Sequence, residues 1–304
     1  MSSAHLAASK LFSVKGLVAV VTGGGSGIGL MATQALIENG AKTVYITGRR
    51  KEYLENVQKK FSKGSEGEIV ALPGDVTNKD DILGWVEEVK KRSGGLHILV
   101  NNAGIAGEKT KLDGLDSAQA FSDAHLKEQT FAGWDDVFRT NATSGFMVSM
   151  AFLPLLEKWT FGKDPAGKAI YDRYQTGIIN ITSISGLIKK AQNHFAYNAS
   201  KAAANHLQRM LANEVGHPFG IRINSIAPGV FPSEMTGSGS DENNKTDLTN
   251  QFDPASLNTS AGRAGTDEDM AGTILYLASR AGQYTSGVVI PVDGNTLSTN
   301  PSAL

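Results

Sequence analysis

Tyr197-Asn198-Ala199-Ser200-Lys201 places a phenol and an ammonium four residues apart. On a helix, side chains at that spacing share one face. An ordinary tyrosine, with a pKa near ~10, is a poor acid or base at neutral pH. A neighbouring cation favours the phenolate and lowers that pKa, which opens general acid–base work to the phenol. The spacing alone is weak evidence, because it recurs on helices by chance. A second cluster gives it company. Thr22-Gly23-Gly24-Gly25-Ser26-Gly27-Ile28-Gly29 follows an apolar run and opens a helical stretch. Glycines let a backbone turn tightly against a pyrophosphate, and the helix N-terminus offers it free N–H groups. Gly23, Gly25, Ser26, Gly27, Ile28 and Gly29 are the candidates for that contact. The strict G-x-G-x-x-G fingerprint is not met, since a start at Gly25 ends on Leu30.

The next apolar run bears on the kind of dinucleotide. An acidic residue about 20 positions beyond the glycines would hold the adenosine ribose of NAD(H). Gly48 stands there, followed by Arg49 and Arg50. A glycine removes charge repulsion, and a guanidinium fork suits a 2′-phosphate. The pair points to NADP(H), with Arg49 expected to carry most of the preference. The plainer alternative is that both arginines only begin the charged helix at 51–63.

Composition narrows the function classes. The chain has 304 residues, with 29 basic side chains against 30 acidic ones and a net charge of −1. A nucleic-acid or membrane-surface binder would usually carry a larger positive excess, so neither partner is expected. There are no cysteines. Disulfides, thiolate nucleophiles and thiolate metal sites are therefore excluded. The six histidines show no metal-ligand spacing, and no metal is expected. No secretory apolar core and no run near the ~20 residues of a membrane span is present, so a cytoplasmic enzyme is expected. The final Pro301-Ser302-Ala303-Leu304 lacks the basic residue of a peroxisomal address.

The elements that would position these groups alternate regularly. Short apolar runs at 17–21, 44–46, 69–72, 96–100, 178–181, 221–226 and 287–291 read as strands buried on both faces. Helical stretches lie between them. The first, at 28–39, ends at Gly40; Thr77 with Asp80, and Thr266 with Asp269, predict capping boxes. This alternation predicts an α/β doubly wound parallel sheet with helices on both faces. Length alone would allow about two domains, but no linker divides the chain. One domain over 1–304 is expected, with tails at 1–13 and 296–304. Three polar or glycine-containing segments, 105–133, 158–176 and 232–262, read as insertions. The last is long for a plain loop and is read as a lid.

These pieces together resemble the short-chain dehydrogenase/reductase superfamily in its classical branch, from about Val14 to Asn295. The matching motifs are Thr22-Gly23-x3-Gly27-x-Gly29, Asp75-Val76, Asn101-Asn102-Ala103-Gly104, Asn141, Ser183, Tyr197-x3-Lys201 and Pro228-Gly229. The resemblance implies one Rossmann-type domain with a seven-stranded sheet in the order 3-2-1-4-5-6-7. It implies Tyr197 as the proton donor to a carbonyl, or the base in reverse. Lys201 would bind the nicotinamide ribose and depress the Tyr197 pKa. Ser183 would hold the substrate oxygen, and Asn141 a relay water. Asp75 and Val76 would meet adenine, Asn102, Ala103 and Gly104 the adenosine ribose, and Pro228, Gly229 and Val230 the nicotinamide. Ser233 would hold its carboxamide.

Two departures stand out. Ser183 lies 14 residues before Tyr197 and Ser185 lies 12 before it, whereas the family commonly uses a spacing between the two. The context Ile181-Thr182-Ser183 favours Ser183. The 105–133 insertion is longer than usual and would cover the adenosine side or an interface. The phrase from Ala227 to Thr236 resembles β-ketoacyl and carbonyl reductases of the rhamnolipid-associated type. An NADPH-dependent reduction of a ketone follows as the leading expectation. The alternatives are an alcohol or polyol dehydrogenase running mainly oxidatively, and a non-catalytic dinucleotide sensor. Leu187, Ile188, Phe195, Val230 and Phe231 are expected to form an apolar substrate wall. His194 sits near the mouth, as a bystander or a substrate contact. Met31, Met147, Met150 and Met210 read as core. Dimers or tetramers through the helices at 134–159 and 195–216 are what the resemblance implies.

Overall fold

The computed structural model describes residues 3–62, 65–112, 114–159, 174–237, 239–248 and 259–300. Most of the expected 158–176 insertion and the 249–258 part of the lid lie outside them.

The apolar runs become seven parallel strands. They are β1 (Val18–Thr22), β2 (Thr43–Gly48), β3 (Glu68–Pro73), β4 (Ile98–Asn101), β5 (Gly177–Ile181), β6 (Arg222–Pro228) and β7 (Val289–Val292). Their order in the sheet is β3-β2-β1-β4-β5-β6-β7. The order reverses beside β1, where the chain crosses from one half of the sheet to the other. Such a switch point opens a crevice at the strands' C-terminal ends. The helices are α1 (Ala8–Leu11), α2 (Gly27–Glu38), α3 (Lys51–Phe61), α4 (Lys79–Ser93), α5 (Ala118–Glu128) and α6 (Phe131–Phe138). Further on come α7 (Ser144–Glu157), α8 (Phe195–Leu211), α9 (His217–Phe219), α10 (Asp267–Ala278) and α11 (Thr296–Thr299).

Side chains alternate across the strands and so divide the core in two. Ala19 and Val21 pack with Leu36 of α2, Leu54 of α3 and Ile274 of α10 on one face. Val18 and Val20 pack with Trp85 of α4, Phe152 of α7 and Leu211 of α8 on the other. Every residue of β1 and β6 is buried, as expected of central parallel strands.

Several local expectations are corrected. The α4 cap is Asn78, whose side chain accepts from the Asp80 and Asp81 N–H groups. Thr77 is instead bonded to Asp75 through both its N–H and its hydroxyl. The Thr266–Asp269 capping box forms as read. The helix expected over 134–159 is interrupted by a π-helical turn, Arg139–Thr143, and another, Ala212–Gly216, ends the one expected over 195–216. Met147 and Met210 are exposed, at 37% and 49%, whereas Met31 is buried. Phe231 is more enclosed than a cleft wall would require. It is buried to 2%, and its ring lies where a Cβ on Gly265 would point. Leu187 is likewise buried, against Ile184 and Ala227.

Candidate active site

The glycine turn joins β1 to α2, and its glycines are required by space. Gly23 and Gly27 adopt left-handed φ values of 66° and 52°. A Cβ on Gly29 would stand 2.1 Å from the Gly23 carbonyl. Asn102, at the end of β4, donates through Nδ2 to the Thr22 carbonyl at 2.9 Å and to Gly23 O at 3.3 Å. The Thr22 hydroxyl accepts from the N–H groups of Asn102 and Ala103. The strand end thus braces the turn from beneath. Ser26 caps α2 in an extended conformation, leaving the helix's first N–H groups at the mouth of the crevice. A cradle that side chains would fill, at a helix N-terminus, fits a dinucleotide pyrophosphate.

Arg50 faces that turn. Its Nη2 donates to Ser26 Oγ at 3.2 Å, and its guanidinium lies 3.7 Å over the Tyr53 ring. Arg49 is exposed and has no ion-pair partner among the described residues. Arg50 is also paired with Glu234, a residue that sequence reasoning did not single out. Asp75, at the end of β3, accepts from Thr77 at Oδ1, while Val76 beside it is buried.

The chemical groups come from three elements. Ser183 ends β5 and caps a short 3-10 turn, Ile184–Gly186, accepting from the Ser185 N–H at 3.1 Å. Gly186 lets this turn press on α8: a Cβ there would stand 2.6 Å from Ala202 N and the Lys201 carbonyl carbon. That contact brings Ser183 to Tyr197. The Ser183 side chain reaches the phenol closely enough to favour its ionised form, and Ser183 is 8% exposed. Ser185 is more open and donates to Gln192 Oε1 at 2.9 Å. The intervening loop absorbs its length through left-handed conformations at Gln192 and Asn193.

The Tyr197 phenol is held above its ordinary pKa. Burial pushes it up, and the Ser183 hydroxyl offsets part of that rise. The expected depression by Lys201 is absent from these causes: Lys201 Nζ stands 5.7 Å from the ring centroid. Lys201 is 4% exposed and donates to the Ile181 carbonyl at 3.1 Å. Burial brings its own pKa down to about 8.

Asn141 sits in the π-helical turn between α6 and α7. Its Nδ2 donates to Ile105 O at 2.9 Å and to Ser200 Oγ at 3.0 Å, and its Oδ1 accepts from Ile105 N at 2.8 Å. The amide is thus largely committed to protein, with one lone pair of Oδ1 left for a water. Gly104 lies between it and the lysine: a Cβ there would be 3.1 Å from Asn141 Oδ1 and 3.5 Å from Lys201 Nζ. Pro228 ends β6, and the Gly229 N–H is bonded to Val292 O at 2.9 Å. Val230 O accepts from Gly265 N. The Ser233 hydroxyl is bonded to Thr236, and Ser233 packs 3.0 Å from where a Gly27 Cβ would stand.

The 105–133 segment covers α8, not the side expected for adenosine. Its Thr110 N–H donates to Asn193 O, and Phe121 and His125 of α5 pack edge-on against Phe195 of α8. His194 caps the same helix, with its ring centroid 5.9 Å from that of Tyr197. Burial and then Lys109 lower its pKa, so it is neutral at pH 7. Among the described residues no helix is long and apolar enough to cross a membrane, and no metal-holding cluster is present.

A family profile described as short chain dehydrogenase matches residues 17–244. Short-chain dehydrogenase/reductase VdtF of Byssochlamys spectabilis is 37% identical over 317 aligned positions, spanning 100% of each chain. The rhamnolipids biosynthesis 3-oxoacyl-(acyl-carrier-protein) reductase of Pseudomonas aeruginosa is 35% identical, over 93% of this chain and 97% of that one. A solved P. aeruginosa RhlG/NADP active-site complex matches with a TM-score of 0.74 and 33% identity, over 94% of this chain and 98% of the other. With its sheet order, glycine turn and Ser-Tyr-Lys grouping, the chain belongs to the short-chain dehydrogenase/reductase family of oxidoreductases.

Proposed function

We propose that the chain uses NADP(H) to reduce a ketone to an alcohol, with Tyr197 as the proton donor. The observation that carries this reading is the part-buried Tyr197 phenol set beside Ser183 by the close contact of the Gly186 turn with α8. A phenol held above its ordinary pKa keeps its proton at neutral pH and has it to give. When bound, the nicotinamide supplies the hydride for the carbonyl carbon.

The remaining steps belong to the chain. Ser183 Oγ accepts from Ser185 N–H, which leaves the hydroxyl proton free to turn to the substrate oxygen. Two donors converging there stabilise the charge that develops on it. Tyr197 Oη then yields its proton. Lys201 spends one of its three N–H bonds on Ile181 O, so two remain, one for a ribose hydroxyl and one for a relay water. A water on Asn141 Oδ1 would link this ammonium to solvent and return the proton. Arg49 and Arg50 support the 2′-phosphate preference, and so does the relative solved with NADP. Ile188, Val230 and the α5 side of the cleft favour an apolar ketone. The relative named as a 3-oxoacyl reductase makes β-keto thioesters the first class to try.

The chain is also expected to self-associate. Phe146 and Met147 on α7, and Met210 on α8, leave an apolar surface on the helices read as an interface. Initial rates with NADPH and NADH over a panel of ketones and 3-oxoacyl thioesters test the function. NADPH-dependent reduction that is lost in Tyr197→Phe with nucleotide affinity retained supports it. Unchanged turnover in that variant sinks the mechanism.

A further inference from the structure

The segment after β6 returns across the crevice and fastens to the glycine turn and α3. Ser233 lies against Gly27. Asn244, 4% exposed and left-handed at φ 59°, donates through Nδ2 to Gly25 O and to Tyr53 O, both at 2.9 Å. Asn56 Nδ2 and Lys60 Nζ of α3 hold the Glu242 carbonyl at 3.0 and 2.7 Å. Between these anchors sits Glu234. Its Oε1 is 2.8 Å from Arg50 Nη1, and its Oε2 is 2.7 Å from Arg50 Nη2. Ser240 Oγ donates to Oε1 at 2.9 Å. This is a two-pronged carboxylate–guanidinium pair, the geometry in which arginine also takes a phosphate.

Arg50 is the guanidinium turned toward the cradle, through Ser26. Its paired-amine edge is filled by a carboxylate from a segment 184 residues away. A 2′-phosphate and the Glu234 carboxylate cannot share that edge, because each needs both amines and the two anions repel. We propose that Glu234 is a specificity-determining residue. It occupies the place of the 2′-phosphate, and a dinucleotide carrying that phosphate binds by exchanging with it. The dianion, helped by Arg49, outcompetes a single carboxylate. A nucleotide without the phosphate leaves the Arg50–Glu234 pair intact. The strap that carries Glu234 is thereby released by one class of nucleotide and kept by the other. The Arg50–Glu234 bond is also the strongest influence holding the Glu234 carboxyl below its usual range, so the pair is ionised at neutral pH.

This inference rests on the NADP(H) reading, and the test separates the two. Calorimetry with 2′,5′-ADP and with 5′-ADP is run on the parent protein and on Glu234→Gln. Glu234 is on the surface, and glutamine keeps its shape. Hydrogen exchange at the Asn244 and Lys245 amides, both bonded to Asp241, reports the strap in the parent protein without any substitution. The parent protein is expected to prefer 2′,5′-ADP. Glu234→Gln should tighten 2′,5′-ADP by about tenfold and leave 5′-ADP within about twofold. The two amides should exchange faster with 2′,5′-ADP bound and not with 5′-ADP. A parent preference for 2′,5′-ADP with no gain in Glu234→Gln overturns the exchange and spares the cofactor reading. No preference in the parent overturns both. An equal gain for the two ligands overturns the exchange too, since Glu234 would then govern the strap and not the phosphate.

Discussion

Lys201 Nζ donates to the Ile181 carbonyl at 3.1 Å and stands 5.7 Å from the Tyr197 ring centroid. The two side chains share a helix face without sharing a hydrogen bond. The lysine is therefore an ammonium taken out of water with one backbone partner, and burial lowers its pKa from 10.5 to about 8. The sign follows from linkage. Between those two values the unfolded chain holds the proton more tightly, so Lys201 costs stability at pH 7 and the cost fades as pH rises toward 10.5. Lys201→Met should lose turnover yet stabilise the nucleotide-free protein by roughly 1–3 kcal/mol at pH 7. Urea unfolding at pH 7 and near pH 10.5 measures this. A variant no more stable than the parent at pH 7 would defeat the account.

The two serines should separate by function. Ser183→Ala removes the hydroxyl that faces the phenol and should lower kcat by about 10²–10³-fold. Ser185→Ala loses the Gln192 contact only, and should stay within a fewfold of the parent. Steady-state kinetics on any accepted ketone decides it; the reverse ranking would move the oxygen-holding role to Ser185.

Gly186 governs how closely the serine turn approaches α8. Gly186→Ala would place a methyl 2.6 Å from Ala202 N and force the turn outward. A shift of about 1 Å there should cost roughly 10²-fold in kcat while nucleotide affinity holds. Fluorescence titration alongside turnover distinguishes this from general unfolding.

The start of α10 carries a pH-dependent contribution. Asp269 pairs with Arg263 and closes the Thr266 capping box, and its pKa falls from 3.8 to about 2, the Arg263 hydrogen bond being the largest cause. A depressed carboxyl stabilises above its unfolded value and loses that effect as pH falls toward the folded one. Asp269→Asn should be about 1 kcal/mol less stable at pH 7, with the gap narrowing at pH 3. A gap that is constant with pH would assign the loss to packing.

Much of the sheet and of the chemical grouping was legible in the residues. Runs such as Leu17–Val21 are apolar throughout because both faces of the strand are covered, so no polar alternation blurs them. Ser183, Tyr197 and Lys201 were legible because their types and order are tied to one local arrangement. The π-helical turn at Asn141 was not, since Arg139-Thr140-Asn141-Ala142-Thr143 contains no breaker and reads as continuous helix. Glu234 was invisible for a different reason. Its partner Arg50 is 184 residues away, and nothing in a solvated acidic side chain marks the guanidinium it will meet.

The 105–133 segment bears on how the chain comes together. Strand β4 ends at Asn101 and its neighbour β5 begins at Gly177. During synthesis β1 to β4 emerge and pair first, and one edge of β4 waits through the whole of α5, α6 and α7 before β5 arrives. An unpaired parallel edge is open to other chains for that interval. A longer segment between β4 and β5 lengthens the exposure, so the cover that α5 gives α8 comes with a slower, more aggregation-prone folding.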